Sequence, residues 1–105
     1  MNLIRYLKLQ IGWSERTFGS GARHAALCAQ IRKELDEIAA KPHDLEEWVD
    51  VMILAFDGAW RAGHSADMIA TMLEYKQMKN FNRTFIISAD PTQPSEHDRT
   101  TEEPC

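Results

Sequence analysis

The sequence predicts an all-α fold, a small bundle of about four helices. Apolar residues recur at spacings of three and four through most of the first 82 positions. The Gly19/Gly21 pair, Pro42 and Gly63 fall between these periodic segments, where helices must end. No stretch alternates with period two for long enough to read as a strand, although Arg83 to Ile87 could extend briefly along the surface.

The first helix occupies residues 1 to 17, with a weak stripe of Leu3, Ile4, Leu7 and Ile11. Phe18-Gly19-Ser20-Gly21 breaks it, and two glycines so close mark a sharp bend or a close approach to a ligand. From residue 22 to about 40, Leu27, Ile31, Leu35 and Ile38 recur at helical spacing, and Pro42 closely follows the helix end. Asp44 suits the N-cap of a third helix, with Glu47 three residues on as the partner in a capping box. That helix runs to about residue 62, where Gly63 ends it. Its VMILAF segment is apolar on every side and should lie centrally. Ser65 caps a fourth helix reaching about Asn82. Residues 1–87 then form one domain. Residues 88–105, polar and carrying three prolines, read as a disordered tail.

A chain of 105 residues with 44% hydrophobic content can bury a modest core, and chains this small often gain stability by oligomerising. A net charge of −4 argues against a nucleic-acid groove. No apolar run reaches membrane-spanning length, and the N-terminus lacks a signal-peptide pattern. Cys28 and Cys105 read as unpaired thiols of a reducing cytosol, so the expected location is cytoplasmic.

Residues 33–51, KELDEIAAKPHDLEEWVDV, hold seven carboxylates beside this apolar segment. At about 100° per residue from Leu27, the apolar residues of the second helix span about 0° to 80°, with Glu34 at about −20° and Glu37 at about −80°. Asp36 points away. On the third helix Glu47, Asp50, Leu54 and Asp57 form one stripe. Helices joined by a short connection pack antiparallel, which can set Glu34 and Glu37 opposite Glu47 and Asp50. Ionised acids on such faces need a cation, a basic partner or a proton. Lys33 points elsewhere and Lys41 sits in the loop, so a hard divalent cation is the natural partner. Zinc is disfavoured, because no Cys or His falls at ligand spacing with these acids.

Glu34-Leu-Asp-Glu37 followed by Glu47-Trp-Val-Asp50 resembles the E-x-x-E … E-x-x-D signature of the MazG-like all-α nucleoside triphosphate pyrophosphohydrolases. IRKELDEI, DLEEWVDV, LAFDGAWRAGHS and KQMKNFNR are similar to the small phage branch, the MazZ-type dATP/dGTP diphosphohydrolases, over roughly residues 13 to 85. Phe18-Gly19-Ser20-Gly21 resembles that branch's F-G-P-G, with Ser20 in the proline's place.

The resemblance implies that Glu34, Glu37, Glu47 and Asp50 hold Mg²⁺ or Mn²⁺, two or more ions per site. It implies hydrolysis of dATP or dGTP to the monophosphate and pyrophosphate. Phage nucleotide-pool remodelling is the implied setting, including supply of dGMP for DNA containing 2-aminoadenine. A homodimer, or a tetramer built from dimers, is the implied assembly. Glu37, at the edge of its face, is the candidate to orient the attacking water or accept its proton. Lys76, Asn80 and Arg83 share one helix face, resemble the family's K-x-x-x-N-x-x-R pattern and are candidates for phosphate and sugar contacts. The bend at residues 18–21, with Trp13 and Arg23, could cover the base.

Plainer roles compete. Glu47 could serve only the capping box, and Asp57 could pair with Arg61 at i+4. Trp48, Phe56 and Trp60 read as core, and Lys76 to Arg83 as favourable charge at a helix C-terminus. The alternative function is a non-catalytic helical interaction module that keeps the fold.

Overall fold

The computed structural model describes residues 1–98, and the elements follow the predicted order. Helix α1 spans Leu3–Phe18, α2 His24–Ala40, α3 Leu45–Arg61 and α4 Ala66–Phe81. Each boundary has a local cause. The Asn2 side chain accepts the Arg5 amide at 2.9 Å to start α1. Gly19 ends it at φ 83°, a left-handed backbone that glycine adopts without strain. Helix α2 closes where the Lys41 amide donates back to the carbonyls of Glu37 and Ile38, and Pro42 cannot extend the ladder. Asp44 starts α3 and Ser65 starts α4, each through a side-chain oxygen accepting a first-turn amide. Gly63, at φ 106°, donates to the Trp60 carbonyl and completes the end of α3.

The expected capping box does not form. The Asp44 oxygen accepts from Glu46, and the Asp44 amide donates to the Lys41 carbonyl. Glu47 therefore takes no part in capping.

The chain divides into two compact units, Met1–Thr71 and a second beginning at Met72. The first is a small all-α bundle. Helix α3 packs along α2 and also against α1. Its core is built on Leu7, Ala66 and Ile69, with Leu3, Ile4, Ile11, Phe56 and Trp60 packed round them. Leu27 and Ile38 are buried on α2. Full burial of such a side chain stabilises the fold by about 1.5–3 kcal/mol.

Three expectations are corrected here. Leu35 is half exposed, so the buried sector of α2 is narrower than its apolar pattern and closes around Leu27, Ile38 and Glu34. Trp48 is not core: it lies 49% exposed and its indole N–H donates to the Pro42 carbonyl at 3.0 Å. The VMILAF segment is not central within one chain, because α1 and α2 cover only part of its circumference and Met52 is 54% exposed.

In the second unit, β1 (Phe85–Ile86) pairs antiparallel with β2 (Glu96–His97), placing Phe85 opposite His97. Ser88 and Asp90 hold the intervening loop: the Asp90 carboxylate accepts the Thr92 amide at 2.9 Å and hydroxyl at 2.7 Å. The Asp98 amide also donates to the Thr84 carbonyl. Residues 88–98, expected as part of a polar tail, thus carry a strand pairing made of main-chain and Ser/Asp/Thr hydrogen bonds, which apolar composition does not reveal. Residues 99–105, with Cys105, lie outside the described residues. Among the described residues no helix is long and apolar enough to cross a membrane.

Candidate active site

Helix α2 delivers Glu34 and Glu37 from its last two turns, and α3 delivers Glu47 from its first. One carboxylate oxygen from each of the three lies within 4.8 Å of the others. Glu34 and Glu47 are half-buried and Glu37 is exposed. Oε2 of Glu34 and Oε2 of Glu47 are shielded from solvent and have no hydrogen-bond partner. A shielded carboxylate oxygen without a donor is costly, because its lost hydration is not replaced.

The electrostatics agree. The Glu34 carboxyl is pushed above its usual range, first by loss of water and then by the facing Glu37, with Asp50 adding; Lys33 opposes only weakly. The Glu47 carboxyl is pushed up by loss of water, by Glu37, and less by Asp44 and Glu34. Among the described residues none of these acids forms an ion pair with a Lys or Arg. The arrangement is therefore short of positive charge, and its oxygens-only donor set suits a hard divalent cation such as Mg²⁺. Asp50 stands outside the set of three. It nevertheless acts on Glu34 through its charge and lines the same cavity.

That cavity, of about 350 Å³, opens beside the acids between α1, α2 and α3. Trp13, Phe18, Arg23, Leu27, Glu34 and Asp50 are among its walls. Trp13 meets Phe18 edge-on at 5.6 Å, and the Arg23 guanidinium lies 4.3 Å from the centre of the Phe18 ring. The bend and the two residues expected to cover a base thus stand together on one wall.

Asp57 has a different role from the other acids on its stripe. It is 5% exposed and accepts from Ser14 Oγ at 2.5 Å, Trp60 Nε1 at 2.6 Å and Arg61 Nε at 3.3 Å. Burial alone would raise its carboxyl. The Ser14 and Trp60 hydrogen bonds and the Arg61 charge outweigh it and hold the group below its usual range. Arg61 also donates to the Gly19 carbonyl at 2.8 Å and the Gly21 carbonyl at 2.7 Å, tying the bend to α3. The pairing of Asp57 with Arg61 is the plain role expected from their i+4 spacing.

Sequence reasoning missed Gln10 and Ser14, which are 8% and 1% exposed. The signal was present: both fall at helical spacing from Leu7 on the inward face of α1, where a polar residue needs a partner. Gln10 accepts from the Tyr6 hydroxyl and donates to the Ile53 carbonyl at 2.8 Å.

Lys76, Asn80 and Arg83 belong to the second unit. Arg83 Nη1 donates to Asn80 Oδ1 at 3.3 Å, so the structure joins these two side chains, while Lys76 is exposed one turn earlier.

A helical chain with a clustered, charge-deficient set of acids beside a nucleoside-sized cavity has the makings of a nucleotide hydrolase. Comparison with family models matches residues 7–99 to the family described as dATP/dGTP pyrophosphohydrolase. The chain belongs to that family, and so is a hydrolase acting on the anhydride bonds of a nucleoside triphosphate. Neither the curated proteins nor the solved structures include a significant match to it.

Proposed function

We propose that Glu34, Glu37, Glu47 and Asp50 hold divalent metal, Mg²⁺ or Mn²⁺ and two or more ions. With these acids the chain hydrolyses dATP or dGTP to the monophosphate and pyrophosphate. The observation that carries this reading is the set of three carboxylate oxygens within 4.8 Å, two of the acids having a solvent-shielded oxygen without a donor. When bound, such a metal neutralises phosphate oxygens and makes coordinated water more acidic. Glu37 is exposed and faces both Glu34 and Glu47, the right position to orient the attacking water or accept its proton. The aromatic wall of Trp13 and Phe18 offers apolar surface to the base. Lys76, Asn80 and Arg83 are candidates for phosphate and sugar contacts on the resemblance of their spacing alone.

The setting we propose is remodelling of a phage purine nucleotide pool in the host cytoplasm, with supply of dGMP for 2-aminoadenine DNA as one use. We also propose a homodimer, or a dimer of dimers. Leu45, Trp48, Val49 and Met52 form an exposed apolar stripe at helical spacing along α3, which a second copy would cover.

The test is to incubate the pure protein with each deoxynucleoside triphosphate and Mg²⁺ or Mn²⁺, measuring pyrophosphate and monophosphate. Glu37→Gln and Asp50→Asn should each abolish turnover while helical circular dichroism persists. Absence of pyrophosphate from every purine substrate would leave the non-catalytic module instead. Full activity in both variants would overturn the site assignment.

A further inference from the structure

The cavity has two chemically distinct ends. Glu34 and Asp50 sit at one level of the α2–α3 pair, where they repel one another. Arg23 and Asp57 meet at the other, with Arg23 Nη1 3.7 Å from Asp57 Oδ2. Asp50 and Asp57 are seven residues apart on α3, a rise of about 10 Å. A nucleotide with its phosphates at the acid end therefore directs its base toward Arg23.

Few side chains at that end can read a base. Gln10 commits one end of its amide to Tyr6 and the other to Ile53. Asp57 is 5% exposed, with Oδ1 taken by Ser14, Trp60 and Arg61 and Oδ2 facing Arg61 and Arg23. Gln30 is exposed on the wall, and an amide can present either a donor or an acceptor, so it enforces neither. Arg23 differs on both counts. A guanidinium only donates. Its side chain is 27% exposed and lies between the Phe18 ring and Asp57, whose single negative charge it shares with Arg61.

We propose that Arg23 is a specificity-determining residue that donates to N7 of the substrate base. N7 is an acceptor on both adenine and guanine and is absent from pyrimidines. A single N–H on N7 suits both purines, in keeping with a family described by both dATP and dGTP, and a second guanidinium N–H could add a bond to O6 of guanine alone. This inference rests on the proposed placement of the base in the cavity.

The experiment replaces the acceptor atom. Steady-state kinetics are measured for dATP, dGTP and their 7-deaza analogues, in which N7 is a C–H, with the wild type, Arg23→Met and Arg23→Lys. A hydrogen bond to a charged donor corresponds to about a tenfold to hundredfold effect. The wild type should lose about that much in kcat/KM on both 7-deaza substrates, mostly through KM. Arg23→Met should lose a similar factor on the natural substrates and show no further loss on the analogues. Arg23→Lys, which keeps a donor and the charge beside Asp57, should recover part of the discrimination. Equal use of natural and 7-deaza substrates by the wild type overturns the proposal, as does undiminished discrimination in Arg23→Met. Trp13→Ala locates the base separately: if it leaves KM unchanged for both purines, the base lies elsewhere, and the cavity placement falls with the proposal. Circular dichroism and direct binding of dAMP, dGMP and their 7-deaza forms accompany each variant, so loss of fold is seen independently of turnover.

Discussion

Replacing Arg61 with Met tests the ionic centre that holds the bend to α3. The Arg61 and Asp57 side chains are 2% and 8% exposed, so the substitution leaves a buried carboxylate deprived of its closest cation. Breaking a buried pair on one side typically costs about 3–5 kcal/mol. The lower end applies here, because Ser14 and Trp60 still donate to Asp57 and Arg23 remains at 3.7 Å. At about 4–8 °C per kcal/mol for a domain of this size, Tm should fall by about 12 °C or more. Asp57→Asn should also destabilise, by leaving Arg61 buried without its charge partner. The double variant should cost clearly less than the sum of the two, since neither group then remains buried and unpaired. Thermal and urea unfolding by circular dichroism at one fixed protein concentration measure all three. A loss below about 1 kcal/mol for Arg61→Met, or strict additivity in the double variant, would refute the idea that this pair anchors the fold.

Other expectations follow from the same geometry. Glu34 and Glu47 have folded-state pKa values above their ordinary 4.5, so protonation favours the folded state. Their contribution is complete below about 4.5 and is lost as pH rises through the raised values. In divalent-free protein these two acids should therefore add stability as pH falls toward about 4.5, and Glu34→Gln should flatten that profile in a thermal-shift series. Asp57 has the opposite sign: its folded pKa is depressed below 3.8, and its contribution, present above 3.8, is lost as pH falls through the depressed value. Trp48→Glu should reduce the mass of the proposed homo-oligomer in light scattering, because it places a charge in the exposed apolar stripe of α3. Gly63→Ala should cost about 1 kcal/mol or more in urea unfolding, since φ of 106° strains any residue with a Cβ.

Periodicity and stop signals made the helices legible. Leu3, Ile4, Leu7 and Ile11 mark α1, and Gly19, Pro42, Asp44, Gly63 and Ser65 lie at the ends where the structure uses them. The clustering of Glu34, Glu37 and Glu47 was legible for a similar reason, since helical angles set which acids share a face. The partners of Asp57 were only half legible. Arg61 follows from i+4 spacing, whereas Ser14 lies 43 residues away and reaches Asp57 through the packing of α1 on α3. Trp48 was misjudged because hydrophobicity alone does not say whether a residue is buried, and large apolar side chains also occur at the surface. The short strand pair escaped notice because two-residue strands carry no period to detect.

The start of α3 separates two duties that one acid might have shared. Asp44 holds the first turn, and Glu47 is left to face Glu34 and Glu37. The first position can therefore vary among residues that start helices, such as Ser or Asn, with no direct effect on the acid cluster beyond a weak change in field. Glu47 can be altered without unseating the helix. For an engineer this offers a dial for robustness set apart from the acid cluster. For a lineage it means that drift in the connection after Pro42 need not disturb the acids beside it.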